Sequence, residues 1–504
     1  MLKRTISAII AILLLAAIFA SCKDKDNSTG EISDANSVTE KQIEDETAET
    51  PDPNARIMPD LPDMDFEGRV YKVLANVDIT YAQFNNFEID ADEITGDLVN
   101  DAVYNRNSRL EEKYNVLIEQ ELHTDVPGVT KRLTGANEDI YSLIFVHQQN
   151  INPLATQGLF CDLNLLKYLD FGKPWWNKKA NNDISVGGRL FYTISDFSLQ
   201  EKSRTSIMAF NKDMAKLYDL GNFYDLVYEG KWTIDKMAEL SKVVAGDIDG
   251  DGEMTDSDRW GFGASWYGGI LDFFISSDNR ITTKDANDYP VLSLNNERTI
   301  SAIDKILNLT RNNPAAFCCQ DFNGKVSYDY WYTSSNVFMD GRLLFADGFP
   351  HSLKDFAASE VDYGVLPFPK YDENQKDYIG VVNALGSLFA VPVTVQNTDF
   401  AAFMLEALSA ASKYEVLPYY YEITTKTKYT QDEESAKMLD LVFSNIRFDL
   451  GRMYNWGNTT NNLFVTQSMA VDGINDFASK YEAIEDLIKQ EMEKTIASYT
   501  EVSQ

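Results

Sequence analysis

From Arg69 onward the apolar positions switch between short unbroken runs and helically spaced stripes. Val70, Tyr71, Val73 and Leu74 predict a first strand, Val116–Ile118 a second and Ile140–Val146 a third. The third has the continuous apolar form of a strand buried on both faces. Between the first two, Leu98, Ala102, Tyr104–Asn105 and Leu110 recur near a 3.6-residue period behind Asp97, which predicts a capped helix over 97–113. Further on, Leu190–Ile194 and Ser206–Phe210 read as strands. Thr233 caps a helix carrying Ile234, Met237, Leu240 and Val244, and Asn296 caps another with Ile300, Ile303 and Leu307. Strands return at Leu343–Phe345, Tyr363–Leu366 and Leu388–Val391, followed by a helix over Thr398–Ser412 and a last one around Tyr481–Tyr499. This alternation predicts an α/β fold, and no 20–50-residue period argues for a solenoid or propeller.

Composition narrows the function. The 504 residues exceed what one core usually holds, and 45 basic against 78 acidic residues give a net charge of −33. A duplex-binding surface needs clustered Lys and Arg to displace counterions, so nucleic acid is excluded as a partner. The aromatic share of 12% excludes a largely disordered chain and leaves rings to line a binding cleft. Three widely spaced histidines (His123, His147, His351) argue against a multi-histidine metal centre.

The N-terminus sets the compartment. Lys3 and Arg4 precede an apolar stretch, Ile6–Phe19, and then Phe19-Ala20-Ser21-Cys22. This resembles a bacterial lipobox with Phe19 in the usual Leu place, making residues 1–21 a lipoprotein signal peptide and Cys22 the lipidated mature N-terminus. The apolar run is shorter than the ~20 residues of a membrane span. Residues 22–66 are acidic, polar and proline-punctuated, the composition of a flexible tether. The expected protein is extracytoplasmic and touches the membrane through its lipid alone.

Asp247-Ile-Asp249-Gly-Asp251-Gly252-Glu253-Met-Thr255-Asp-Ser-Asp258 has the spacing of a twelve-residue EF-hand calcium loop. Asp247, Asp249 and Asp251 offer oxygens at the first, third and fifth positions, and Gly252 allows the sharp turn at the sixth. Glu253 offers its carbonyl at the seventh and Thr255 acts at the ninth. Asp258 stands where Glu is usual and reaches less easily for bidentate ligation. Trp260-Gly-Phe-Gly263 cannot continue as a regular exiting helix, so the expected role is one structural calcium. The plain alternative is a solvated acidic turn.

Several segments, in order, resemble bacterial extracellular solute-binding proteins of the sugar-binding type (family 1), receptors of ABC importers. They are Asp101–Val116, Tyr141–Leu163, the Ala-Phe-Asn-Lys-Asp run in Ser206–Met214, Gly230-Lys-Trp-Thr233, Phe338–Phe345, the Leu-Pro edge in Tyr363–Pro369, and Ser387–Ser412. The resemblance implies a two-lobed, type II periplasmic-binding-protein-like α/β fold with ligand held between lobes that close by a hinge. It places one lobe at 67–194 plus 338–390 and the other at 198–335 plus 392–504. Crossings would fall near Asp196–Phe197, Met339–Gly341 and Val391–Pro392. It also implies a monomeric, non-enzymatic receptor that captures a carbohydrate, an oligosaccharide above all, for an ABC permease. A carbohydrate-active enzyme and a surface glycan-binding lipoprotein without an importer are the alternatives.

Sugar C–H faces stack on aromatic rings while hydroxyls pair with polar side chains, which makes several loops candidates for the cleft. These contribute Trp266 and Tyr267, Phe349 and His351, Asn383, and Trp456. Asp196 and Arg204, beside an expected crossing, either bind hydroxyls or, with Glu201, form a hinge ion pair. Trp232 and Trp175–Trp176 are read as packing residues. Gly263-Ala-Ser265-Trp-Tyr-Gly268 is one residue too long for a nucleophile elbow, and phosphate-binding glycine turns are absent. Cys318 and Cys319 are either buried thiols or partners for Cys161.

Overall fold

The computed structural model describes residues 56–79, 85–265 and 269–501. The signal-like segment, Cys22 and the tether as far as residue 55 lie outside the described residues. The end of the expected tether is docked rather than free. Phe66 packs edge-on against Phe400 and Phe403 with ring centroids 4.8 and 5.1 Å away, and Ile57 N donates to Tyr414 Oη at 3.1 Å.

Four strands make the first sheet. β1 (Arg69–Asn76), β2 (Val116–His123) and β3 (Leu143–His147) run parallel, and β12 (Ser387–Ala390) adds antiparallel beyond β3, in the order β12-β3-β1-β2. Every residue of β3 is buried, as its unbroken apolar run requires. The helix Leu98–Tyr114 covers this sheet and begins where expected. Asp97 accepts hydrogen bonds from Val99 N and Asn100 N, satisfying two of the donors a helix start leaves bare.

The second sheet has five strands. They are β4 (Ile207–Asn211), β5 (Trp260–Ala264), β8 (Ala316–Cys318), β9 (Leu343–Gly348) and β10 (Tyr363–Leu366), in the order β10-β4-β9-β5-β8. Only β4 runs against its neighbours. This differs from the expected grouping of 338–390 with the first lobe. β9 and β10 hydrogen-bond into the second sheet, and of that span only β12 among the sheet strands pairs with the first. A buried apolar run such as Leu343–Ala346 or Tyr363–Leu366 fits any sheet, and its sequence does not name its neighbour.

The crossings move accordingly. Met339–Gly341 is no crossing but the turn from the helix Thr333–Met339 into β9, with Gly341 at φ 73°. Val391–Pro392 stays with the first body, where Val391 O accepts from Cys161 N at 2.9 Å. The chain passes between sheets at 196–206, at 367–386, and after the helix Thr398–Glu415. That helix packs on Leu98–Tyr114, whereas Glu433–Ser444 packs on β10. Three of these passages meet as a narrow ribbon. Thr205 bridges Val382 antiparallel, and β11 (Gly380–Val381) pairs with β13 (Ile446–Arg447) in parallel. A Cβ on Gly380 would sit 2.8 Å from Thr205 Cγ2 and 2.9 Å from Val442 O, so only glycine lets the passages approach this closely.

A two-stranded hairpin, β6 (Thr282–Lys284) and β7 (Pro290–Leu292), leaves the second body and grips the first. Lys284 Nζ donates to Ser185 O at 2.6 Å, and Gly187 N donates to Asp288 O at 3.0 Å. Buried apolar residues run continuously from Tyr71 and Phe145 through Phe389 to Phe345 and Phe464.

Candidate ligand cleft

In open α/β sheets, ligands bind outside the carboxyl ends of the strands. Here those ends are Asn76 and His147 on the first sheet, with β12 entering at Ser387, and Ala264 and Gly348 on the second, with β4 entering at Ile207. The polar loops leaving these ends converge on the passage Arg204–Ser206.

On the first-sheet side, Gln148 N donates to Gly386 O at 2.9 Å and Gln149 N to Ala384 O at 3.1 Å, fixing the 383–386 turn against β3. Ser387 Oγ donates to Asn86 Oδ1 at 3.0 Å. Asn383 N in turn donates to Arg204 O at 2.9 Å, which seats the crossing against that turn. On the second-sheet side, Ser265 N and Oγ donate to Asp347, the latter at 2.6 Å. Burial raises the Asp347 carboxyl to about 6, against those two hydrogen bonds. Asp272 accepts from Ser206 Oγ at 3.4 Å and pairs with Arg452 Nη2 at 2.8 Å.

Arg204 joins the two sides. Its guanidinium is buried, and Nη1 lies 2.8 Å from His351 Nδ1. The same Nδ1 lies 3.1 Å from Ser203 O, so the ring's tautomer decides whether it accepts from Arg204 or donates to that carbonyl. Burial and then the Arg204 charge press the His351 pKa down to about 3, against the Ser203 carbonyl. Phe349 stacks on the His351 ring at 5.5 Å and 12°. Arg204, His351, Phe349 and Asn383, far apart in sequence, are thus neighbours.

The other expected cleft residues lie elsewhere. Trp266 and Tyr267 fall outside the described residues. Trp456 is 3% exposed; it stacks on Tyr454 and donates to Thr495 Oγ1 at 2.9 Å, beneath the helix Phe477–Glu501. Its glycine- and asparagine-rich setting suggests an exposed loop, but a helix 20 residues later covers it. Asp196 takes the ion-pair alternative, between Lys202 Nζ and Lys413 Nζ, each at 3.3 Å. It lines a separate cavity of about 290 Å³ with Glu201 and the Trp175–Trp176 pair. Trp232, Trp175 and Trp176 are buried as expected.

Sequence reasoning passed over His147 and Gln148. Both are buried at the end of β3, and His147 Nε2 and Gln148 Nε2 have no hydrogen-bond partner among the described residues. Burial lowers the His147 pKa, Asp78 opposes that and Arg204 adds to it, which places the imidazole in the same electrostatic neighbourhood. The available signal was a polar His-Gln-Gln triplet at the exit of an unbroken apolar strand.

In the 247–258 loop, ligand atoms of Asp247, Asp249 and Asp258 lie within 4.8 Å of one another. Gly252 takes φ 88° at the sixth position, and the chain leaves the loop as β5 rather than a helix, as expected. Asp251 does not join that group; its Oδ1 accepts from Glu253 N at 2.7 Å. Asp258 accepts from Ile248 N and from Thr255 N and Oγ1, so its two oxygens also brace the turn.

Two α/β bodies, passages between them and a cleft at their facing strand ends define the two-lobed, periplasmic-binding-protein-like fold. Solved structures carry the same architecture over nearly their full length. The ABC substrate-binding protein Lmo0181 of Listeria monocytogenes, in complex with cycloalternan, superposes with TM-score 0.53 at 12% identity, over 84% of this chain and 99% of that one. The maltose/maltodextrin-binding domain MalE of Bdellovibrio bacteriovorus, bound to maltotriose, gives 0.51 at 12% over 84% and 100%. UgpB of Mycobacterium tuberculosis, with glycerophosphocholine, gives 0.52 at 15% over 79% and 96%. No family model and no curated protein matches the sequence. Among the described residues, no helix is long and apolar enough to cross a membrane.

Proposed function

We propose that this chain is an extracytoplasmic solute receptor, lipid-anchored through Cys22, that captures a carbohydrate, an oligosaccharide above all, and delivers it as a monomer to an ABC permease. The observation carrying the reading is the convergence of Arg204, His351, Phe349 and Asn383 on the passage between two sheets whose strand ends face each other. Bound sugars in two of the structural neighbours support it. Binding here needs no bond to break. Arg204 and the unpartnered His147 and Gln148 groups meet hydroxyl oxygens, and Phe349 offers an apolar face to a pyranose ring.

Tryptophan fluorescence titrated with maltotriose, cyclodextrins and other oligosaccharides tests this reading. We expect a saturable change with one class, weakened about 10- to 100-fold by Arg204→Ala, the range for losing a charged hydrogen bond of about 1.5–3 kcal/mol. Silence across the panel, with a response to peptides or amino acids, rejects the sugar assignment. Loss of membrane association in Cys22→Ala tests the anchor.

The 247–258 loop is proposed to hold one structural calcium through Asp247, Asp249 and Asp258, with the Glu253 carbonyl, Asp251 and Thr255 completing the shell. Calcium would neutralise carboxylates that otherwise repel. The Asp249 carboxyl accepts from Asp251 N, which lowers its pKa, yet burial and the Asp251, Asp258 and Asp247 charges leave it raised. Calcium at 100 times its dissociation constant should stabilise the fold by about 2.7 kcal/mol. EDTA should remove that increment from the wild type and leave Asp247→Asn unmoved. An unchanged wild-type melt in EDTA makes the loop a plain acidic turn.

A further inference from the structure

The cavity around Asp196 is separate from the cleft and has its own chemistry. Its volume of about 290 Å³ sits at the lower edge of the ~300–1,000 Å³ typical of ligand pockets, room for a single-ring molecule. Its walls come from several parts of the fold. Lys179 and Trp176 belong to the first body, Lys413 to the helix Thr398–Glu415, and Asp196, Glu201 and Lys202 to the passage between sheets. Phe443 and Ile446 arrive from the helix that packs on β10 and from β13.

The charges do not cancel. Three ammonium groups face two carboxylates, and Asp196 is shared by Lys202 and Lys413. Glu201 is held by Lys202 at 3.4 Å and by the Asn177 amide. Lys179 has no carboxylate within ion-pair distance among the described residues; its Nζ rests on the neutral Asn445 Oδ1. It is partly buried, and burial and the nearby Arg447 and Arg280 lower its pKa, opposed by Asp183 and Asp377. A partly buried ammonium whose hydrogen-bond partner is a neutral amide, in an open cavity beside aromatic rings, is placed to pair with an anion.

We infer that this cavity is a second binding site, for a small ring-bearing carboxylate whose anion pairs with Lys179 and whose body lies against Trp176 and Phe443. The inference does not rest on the carbohydrate reading of the cleft. Since the walls belong to both bodies and the passage between them, occupancy of the cavity biases their relative orientation, and any ligand in the cleft is linked to it reciprocally.

The test is a thermal-shift and tryptophan-fluorescence titration of the full chain with sodium benzoate and sodium glucuronate at constant ionic strength. Sodium chloride and methyl glucoside serve as controls. We expect a saturable response to at least one carboxylate and none to the controls. Lys179→Gln should weaken it at least tenfold, while Phe349→Ala, a change in the cleft outside the passage 196–206, leaves it unchanged. Should Lys179→Gln melt abnormally in sodium chloride, Lys413→Gln serves in its place with the same expectation. A response no larger than that to sodium chloride, or one that survives both lysine substitutions, overturns the site. A response lost in Phe349→Ala also overturns it, by moving the carboxylate to the cleft.

Discussion

Replacing Arg106 by alanine should destabilise the protein by about 3–5 kcal/mol, the range for breaking a buried charge network. The side chain is 0% exposed and makes hydrogen bonds through all three nitrogens. Nη1 donates to Ser412 Oγ at 2.8 Å, Nη2 to Glu88 O and Ile89 O at 2.9 Å, and Nε to Asn107 Oδ1 at 3.0 Å. One guanidinium thereby ties the loop before Asp90, the helix Leu98–Tyr114 and the helix Thr398–Glu415. Its charge also compensates Glu88, which burial pushes upward in pKa and whose Oε2 has no partner among the described residues. Glu88 Oε1 receives Ser198 Oγ and Leu199 N, so the damage extends to the first passage between the sheets. Urea unfolding of Arg106→Ala and Arg106→Lys checks this. Lysine should recover only part of the loss, because an ammonium cannot span those acceptors.

Glu406 should dominate the pH dependence of stability near neutrality. It is 1% exposed and accepts the indole N–H groups of Trp175 at 3.1 Å and Trp176 at 3.0 Å. Burial nevertheless raises its carboxyl to about 7 from 4.5. A carboxyl raised on folding holds its proton more tightly in the native state, so its contribution is complete below pH 4.5. That contribution shrinks as pH climbs toward 7, by an amount on the order of 3 kcal/mol. Unfolding free energies of the wild type should therefore fall more steeply over that interval than those of Glu406→Gln. The glutamine variant should also start lower by about 1–3 kcal/mol, since its amide meets one indole donor with another donor. Parallel pH profiles would refute the assignment.

Local chemistry was legible in the sequence where it is self-contained. Asp97, Thr233 and Asn296 cap the helices they were expected to cap, because a cap needs only the next three residues. The strands Arg69–Asn76 and Leu143–His147 followed from their apolar runs. Long-range partners were not legible. The apolar run Leu343–Ala346 is buried whichever sheet it joins, and nothing in it favours Trp260–Ala264 as neighbour. Arg204 and His351 were each singled out, but their mutual hydrogen bond depends on a topology that brings residues 147 positions apart into contact. Trp456 shows the converse failure, a ring in a loop-like setting whose cover is supplied later in the chain.

The placement of β12 bears on how the molecule is made. It pairs with β3 across about 240 intervening residues, whereas the second sheet closes entirely within that interval. During synthesis the second sheet can therefore form while the first still shows the bare edge of β3, an apolar strand with unmet backbone groups. A chain shortened before Ser387 would keep that edge open permanently and should self-associate through it, so its solubility and not only its stability depends on the four residues Ser387–Ala390.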